Sequence, residues 1–160
     1  MKEIIGLLLD DHKIIHEKIL DTKRLMTLPT EESLIQLATN LSFFKDFTFK
    51  GHHLRENEIL YAWMEQQNSN ADTAIVNRIK HEHEQLELLS NRLLTSINNA
   101  LKKNPDATNV AILSDLSDLI VLYLEHMERE EKFIFMIAEG LKLTKEQKAE
   151  MLLKMKATIS

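Results

Sequence analysis

Two related stretches of the sequence indicate the fold: His52-His53-Leu54-Arg55-Glu56-Asn57-Glu58 and His126-Met127-Glu128-Arg129-Glu130-Glu131. Each contains a histidine and a glutamate four residues apart, and each leads into an apolar, aromatic segment. On an α-helix, residues i and i+4 lie on one face about 6 Å apart, so an imidazole nitrogen and a carboxylate oxygen can converge on one metal ion. The repeat therefore predicts two long helices that carry matching parts of one metal site.

The composition favours a helical, globular chain. Three glycines and two prolines leave few residues that would interrupt a helix. A length of 160 residues suits one domain with a sizeable core, and 44% hydrophobic with 28% charged residues is typical of a folded protein. We therefore expect residues 1–160 to form a single all-α domain.

Charge and cysteine content argue against several classes of function. The formal net charge is −5 and no basic cluster is present, which argues against nucleic acid and against a membrane surface as partners. The absence of cysteine excludes disulfides, thiolate nucleophiles, iron–sulfur ligation and thiolate zinc sites. No apolar run approaches the roughly 18 residues of a membrane span, and the short run at residues 4–9 has no cleavage-site pattern. We expect a cytoplasmic protein whose metal ligands are nitrogen and oxygen.

Hydrophobic periodicity predicts four long helices and a short fifth. Their expected bounds are about 2–25, 31–67, 72–102, 108–138 and 144–157. Thr30 is the expected N-cap of the second helix, and Thr144 with Gln147 forms an expected capping box for the fifth. The expected breaks are Thr27-Leu28-Pro29, Asn68-Ser69-Asn70 and Lys103-Asn104-Pro105-Asp106. Short links between long helices predict an up-down-up-down four-helix bundle at about 3–138, followed by a short C-terminal helix.

One histidine on the apolar stripe of each long helix falls at a common level, roughly 15 to 22 Å from one end of the bundle. The four are His12, His52, His83 and His126. A lone histidine on such a stripe is usually a hydrogen-bonded core residue. Four of them together with Glu56 and Glu130 would lack partners unless something satisfied them, and so they predict a metal site. Beyond these ligands, the stripes continue inward at Ile59 and Trp63 and at Phe133 and Ile137.

Imidazole and carboxylate ligands without thiolate suit iron, manganese or zinc. Two glutamates inside a histidine cage favour two ions with bridging carboxylates. Iron ranks above manganese and zinc, because a ferrous pair with these ligands can keep a coordination position open for dioxygen, peroxide or nitric oxide.

At these residues the sequence resembles the hemerythrin-like family, often called the HHE domain. The resemblance covers about residues 3–138 and includes four motifs: Asp11-His12, His52-His53-x-x-Glu56, Glu82-His83 and His126-x-x-x-Glu130-Glu131. It implies two iron ions joined by an oxo or hydroxo bridge. By the resemblance the four histidines named above are terminal ligands, and Glu56 and Glu130 bridge the ions.

The chain departs from the oxygen-carrying members of that family on the third helix. Those proteins have a second histidine four residues from the first, and here Ile79 and Glu87 occupy the corresponding offsets from His83. His53 is the leading candidate for the missing ligand, because a mammalian iron-sensing member has a ligating glutamate directly after its second-helix histidine. His16 ranks second and Glu87 third. Glu131 is expected to be solvated.

The leading interpretation is a non-enzymatic di-iron protein that binds dioxygen, peroxide or nitric oxide for storage, sensing or stress response. One alternative is an enzyme of the same fold that turns over peroxide or nitric oxide, or delivers iron for iron–sulfur repair. Repair proteins of the family typically carry a cysteine-bearing N-terminal domain, and these 160 residues contain no cysteine. Further alternatives are an iron sensor that regulates a partner protein and a metal-free structural bundle.

Overall fold

A computed structural model describes residues 1–27, 30–67, 70–103 and 110–158, with side chains throughout these ranges except at residues 70–72. Within them the secondary structure is helical and contains no strand. The expected breaks at Leu28-Pro29, Asn68-Ser69 and Asn104-Pro105-Asp106, and the expected helix start at Thr108, lie outside the described residues.

Four long helices form the bundle. Helix α1 is Lys2–Leu25 and α3 is Asn70–Lys103. Helix α2 covers residues 31–67 and α4 covers residues 110–140, and both include π-helical stretches. Each long helix packs against the next in the chain, and α4 packs against α1. This arrangement confirms the predicted all-α bundle.

Local sequence explains where α2 and the short helix α5, Lys145–Ala157, begin. The Thr30 hydroxyl accepts a hydrogen bond from the Ser33 backbone N–H at 3.1 Å, and the Ser33 hydroxyl accepts one from the Thr30 N–H at 2.7 Å. Thr144 and Gln147 form the same reciprocal capping box. Each box satisfies backbone donors that the first turn of a helix leaves unpaired.

Two apolar clusters fill the bundle, one on each side of a polar layer. The first cluster includes Ile15, Leu37, Phe44, Leu86 and Leu116. The second includes Ile4, Leu60, Ile79 and Ile134, together with Met151 and Met155 of α5. Between them each long helix contributes buried polar side chains at one level, as the up-down topology predicts.

In the described part of the chain no helix is both long and apolar enough to cross a membrane.

The π-helical stretches change which side chains point inward. They comprise Phe44–His52 and Glu56–Tyr61 in α2, and Glu130–Ile134 in α4. A π-turn closes an i→i+5 hydrogen bond and therefore holds one residue more than an α-turn. The inward face after such a turn moves to the following residue.

The prediction that Phe133 points inward is wrong for this reason. Its side chain is 55% exposed, whereas Ile134 is fully buried and Phe135 is 3% exposed. In α2 the same shift leaves Ile59 only partly buried and brings Leu60 into the core.

A pair of adjacent substitutions tests this shift. Ile134→Ala should lower the free energy of unfolding by about 2 to 5 kcal/mol, because it truncates a fully buried side chain. Phe133→Ala should change it by about 0.5 kcal/mol or less, as expected at a surface position. Urea unfolding of the metal-free variants, followed by circular dichroism, measures both values. An uninterrupted α-helix would give the reverse order.

Candidate metal centre

The polar layer holds two groups of buried side chains that could ligate metal ions. In each group, one candidate ligand atom from every member lies within 4.8 Å of the others. The first group is His12, His52, Glu56 and Glu130, and the second is His53, His83 and His126. The structure therefore brings together the six residues selected by spacing, and it places His53 beside them. His16 and Glu87 are exposed and belong to neither group.

The two glutamates lie between the groups. Glu130 Oε2 lies 3.3 Å from Nε2 of His12 and 3.3 Å from Nε2 of His126, so this carboxylate faces both groups. Glu56 does the same, with Oε1 3.3 Å from His52 Nε2 and Oε2 3.4 Å from His83 Nε2. Both positions suit a carboxylate that bridges two ions.

The π-helical stretches lie at these ligands. One ends at His52, and the other two begin at Glu56 and Glu130. Because a π-turn holds more residues, successive side chains are closer together around the helix axis. His52 and His53 are neighbours in sequence and are both buried. The His53 ring stacks on His83, with centroids 3.7 Å apart.

Four of the imidazoles are anchored by a hydrogen bond to a neighbouring helix, on the side of the ring that points away from the glutamates. In each, Nδ1 makes a hydrogen bond to a side-chain oxygen of another helix, and Nε2 faces the glutamates. The pairs are His52 with Asp11 at 3.0 Å, His83 with Asn57 at 3.0 Å, His126 with Glu82 at 3.1 Å and His12 with Glu131 at 2.8 Å. A proton on Nδ1 leaves the Nε2 lone pair free for a metal ion, which is the usual arrangement behind ligating histidines.

These bonds form a closed ring around the bundle. Asp11 of α1 holds a histidine of α2, Asn57 of α2 holds one of α3, Glu82 of α3 holds one of α4, and Glu131 of α4 holds one of α1. A movement of any one helix would therefore displace a ligand on its neighbour.

Two arginines neutralise the acids of this ring on α1 and α3. Arg55 is 2% exposed and donates to the Asp11 carboxylate. Arg129 Nε lies 3.0 Å from Glu82 Oε1. Burial would raise the pKa of Glu82, but hydrogen bonds from His126 and Arg129 lower it overall. Glu82 is thus kept available as an acceptor.

The atoms that face the centre are short of hydrogen-bond partners. Buried atoms with none are His12 Nε2, His126 Nε2, His53 Nδ1, Glu130 Oε2 and both carboxylate oxygens of Glu56. Unpaired polar atoms are costly in an apolar interior. All of them are nitrogen or oxygen atoms of the kinds that bind transition metals. The donor set therefore fits metal ions.

The electrostatics of the layer also favour cations. Burial, with the charge of Glu130 beside it, raises the pKa of Glu56 well above its ordinary value. Burial lowers the pKa of His52 to about 4 and that of His53 well below its ordinary value. His12 differs: burial alone would lower its pKa, but the hydrogen bond to Glu131 and the charge of Glu130 beside it raise it to about 9. A cation at the centre would offset the repulsion between Glu56 and Glu130 that contributes to these shifts.

The centre has an internal two-fold repeat, in which α1 and α2 correspond to α3 and α4. Each hydrogen bond and ion pair described above in one half has a counterpart in the other. The corresponding pairs are Asp11 with Glu82, His12 with His83, His52 with His126, Arg55 with Arg129, Glu56 with Glu130 and Asn57 with Glu131. Three positions differ in chemical type across the repeat: His53 corresponds to Met127, Tyr61 to Phe135, and the neutral amide of Asn57 to the carboxylate of Glu131.

Sequence reasoning assigned no role to several of these residues. Arg55 and Arg129 had a signal, since each lies directly before the glutamate of its histidine–glutamate pair. Glu131 was expected to be solvated, and although it is 45% exposed it bonds His12. Tyr61 had no signal, and its fully buried hydroxyl donates to Glu130 Oε1.

Comparison with known proteins agrees with this geometry. The family model described as the hemerythrin HHE cation binding domain matches residues 3–138. No curated protein and no solved structure gave a significant match. The matched region contains every residue of the centre, and α5 lies beyond it.

Two alanine variants compare the candidates for the additional histidine ligand. His53→Ala should raise the dissociation constant of bound metal by at least about tenfold, the scale seen even for loss of an outer-shell partner. His16→Ala should leave it unchanged, since that side chain is exposed and outside both groups. Competition against a chelator measures the two constants. Weaker binding in His16→Ala alone would contradict the assignment of His53.

Proposed function

The chain belongs to the hemerythrin HHE cation-binding family, and we propose that it is a di-iron protein that binds dioxygen, peroxide or nitric oxide for storage, sensing or stress response. The observation that carries this proposal is the pair of ligand groups that share two buried carboxylates. A structural bundle without metal would leave these groups unpaired.

The number of ligands supports two ions. Seven side chains converge on the layer, which exceeds the six ligands of an octahedral ion. Each group has its own imidazoles, and each glutamate faces both groups. Iron is the proposed metal because imidazole and carboxylate ligands suit it and because the expected small ligands need a redox-active ion. A bound ferrous pair supplies electrons and an open coordination position.

The unequal groups indicate where a small ligand would bind. One group contains three imidazoles, whereas His12 and His52 are the only two in the other. The position corresponding to the extra imidazole is occupied there by Met127, a buried residue whose thioether is a softer ligand than the nitrogen and oxygen atoms of the two groups. We therefore assign the open position to the side of His12 and His52.

A cavity lies beside His12 on that side. It has a volume of about 480 Å³ and lies between α1 and α4, where His12, His16, Met127 and Glu131 contribute to its lining. The glutamates themselves are fully buried, and Phe135 packs on the His12 ring with centroids 5.5 Å apart. Burial and apolar packing of this kind exclude water. They slow the side reactions by which a bound oxidant would be lost, which favours binding over turnover.

An iron sensor is the second candidate, and the ring of cross-helix hydrogen bonds favours it. Because every long helix contributes ligands to one layer, the metal would link all four helices. Loss of metal would loosen the whole bundle, and a partner protein could read that change.

The metal content of the purified protein tests the di-iron proposal. After anaerobic loading we expect two iron ions per chain by elemental analysis, and a change in the visible spectrum when dioxygen or nitric oxide is added. The double variant Glu56→Ala/Glu130→Ala is the control and should retain far less iron. A reproducible content of one ion, or preferential uptake of zinc, would contradict the proposal.

Metal should also stabilise the fold. Binding confined to the native state adds RT ln(1 + [L]/Kd), or about 3 to 4 kcal/mol at a hundred- to thousand-fold excess over Kd. For a chain of this size that is about 10 °C in Tm. Thermal unfolding with and without iron measures the difference, which the double glutamate variant should lose. Equal melting curves would favour a bundle whose stability does not depend on metal.

A further inference from the structure

Tyr61 contacts the centre without belonging to either ligand group. It is fully buried at the end of the second π-helical stretch of α2. Its hydroxyl donates a hydrogen bond to Glu130 Oε1, and its ring lies nearly parallel to that of His83, with centroids 6.1 Å apart. The proposed function assigns it no role.

The hydroxyl makes the two carboxylates different. Glu130 Oε1 has a hydrogen-bond donor in Tyr61, whereas neither oxygen of Glu56 has a partner. In the two-fold repeat Phe135 occupies the position of Tyr61 and packs on His12 in the way that Tyr61 lies beside His83. A phenylalanine carries no hydroxyl to donate. The tyrosine hydroxyl is therefore a donor to Glu130 that the corresponding residue cannot supply to Glu56.

We propose that Tyr61 is a positioning residue that orients the Glu130 carboxylate and makes the two metal ions electronically unequal. The inference rests on the di-iron function proposed above. A hydrogen bond to Oε1 fixes the rotation of the carboxylate, so that Oε2 is presented to His12 and His126. It also withdraws electron density from Oε1 and leaves that oxygen a weaker metal ligand.

The weakened oxygen lies on the side of the three-imidazole group. Glu130 Oε1 is 3.3 Å from His83 Nε2, and His83 belongs to that group together with His53. The group with the additional imidazole is thus also the group that receives less charge from its carboxylate. The His53 imidazole and the Tyr61 hydroxyl thus act on the same ion and in opposite directions.

The chain contains a matched control. It has two tyrosines, and Tyr123 is buried as completely as Tyr61. The Tyr123 ring packs in the first apolar cluster against Phe44, with centroids 4.8 Å apart, and its hydroxyl makes no hydrogen bond to Glu56 or Glu130. Tyr123→Phe therefore removes a buried hydroxyl at no cost to the bridging carboxylates.

The experiment compares Tyr61→Phe, Tyr123→Phe and the wild-type protein, each loaded with iron. Chelator competition gives the dissociation constants of the two ions, and the charge-transfer spectrum reports on their electronic state. Tyr61→Phe removes the orientation of the Glu130 carboxylate, which we expect to outweigh the stronger donation that Oε1 regains. We therefore expect about 10- to 100-fold weaker binding of one ion, the range for loss of an outer-shell partner, together with a shifted spectrum. Tyr123→Phe should match the wild type in both measurements.

The outcomes separate this inference from the proposed function. If wild type binds two ions and the two variants behave alike in affinity and spectrum, the role of Tyr61 is overturned and the di-iron function stands. If Tyr61→Phe only melts at a lower temperature and keeps both constants and the spectrum, its role is structural and the inference fails. A wild-type protein that binds fewer than two ions overturns the function and the inference together.

Discussion

The main physical constraint on this bundle is that polar atoms at its centre lack hydrogen-bond partners. Glu56 and Glu130 are fully buried between two apolar clusters, where an uncompensated carboxylate costs several kcal/mol. In each of the four histidines of the hydrogen-bonded ring, Nδ1 makes a hydrogen bond to a side chain of another helix. The Nε2 atoms and the carboxylate oxygens face one another at the centre. Cations at the centre would complete this arrangement. The helices are long enough to surround the layer with packed side chains on both sides, which keeps water away from it.

The ring of hydrogen bonds explains how four separate helices can hold ligands in fixed positions. Each histidine is anchored by a side chain from the helix before it in the ring, so the geometry depends on all four helices together. Arg55 and Arg129 lie behind two of the anchoring acids and balance their charge. The hydrogen bonds therefore orient the four imidazoles towards the centre, which reduces the reorganisation that metal binding would otherwise require.

The sequence was sufficient to predict the bundle and the level of its histidines, because both follow from helix length and periodicity. It was not sufficient to predict the π-helical stretches, since a histidine and a glutamate four residues apart have the same spacing in an ordinary α-helix. Phe133 was consequently placed inside, and Tyr61 was overlooked. Adjacency in sequence also does not reveal which histidine an acid contacts. Asp11 directly precedes His12, but its carboxylate makes a hydrogen bond to His52 on the next helix. Such pairings depend on how the helices are rotated about their axes, which periodicity determines only coarsely.

The two-fold repeat has a consequence for how such a centre can be built. Two identical helical hairpins related by a symmetry axis would supply every ligand in duplicate, and the two metal positions would be chemically identical by necessity. Joining the hairpins in one polypeptide removes that necessity, because residues 53 and 127, or 61 and 135, no longer need to be the same. A homodimer of hairpins could assemble the carboxylates and the ring. It could not add a fifth imidazole to the centre at one metal position without adding a sixth at the other. Covalent connection of the halves is thus what permits a centre whose two sides perform different tasks.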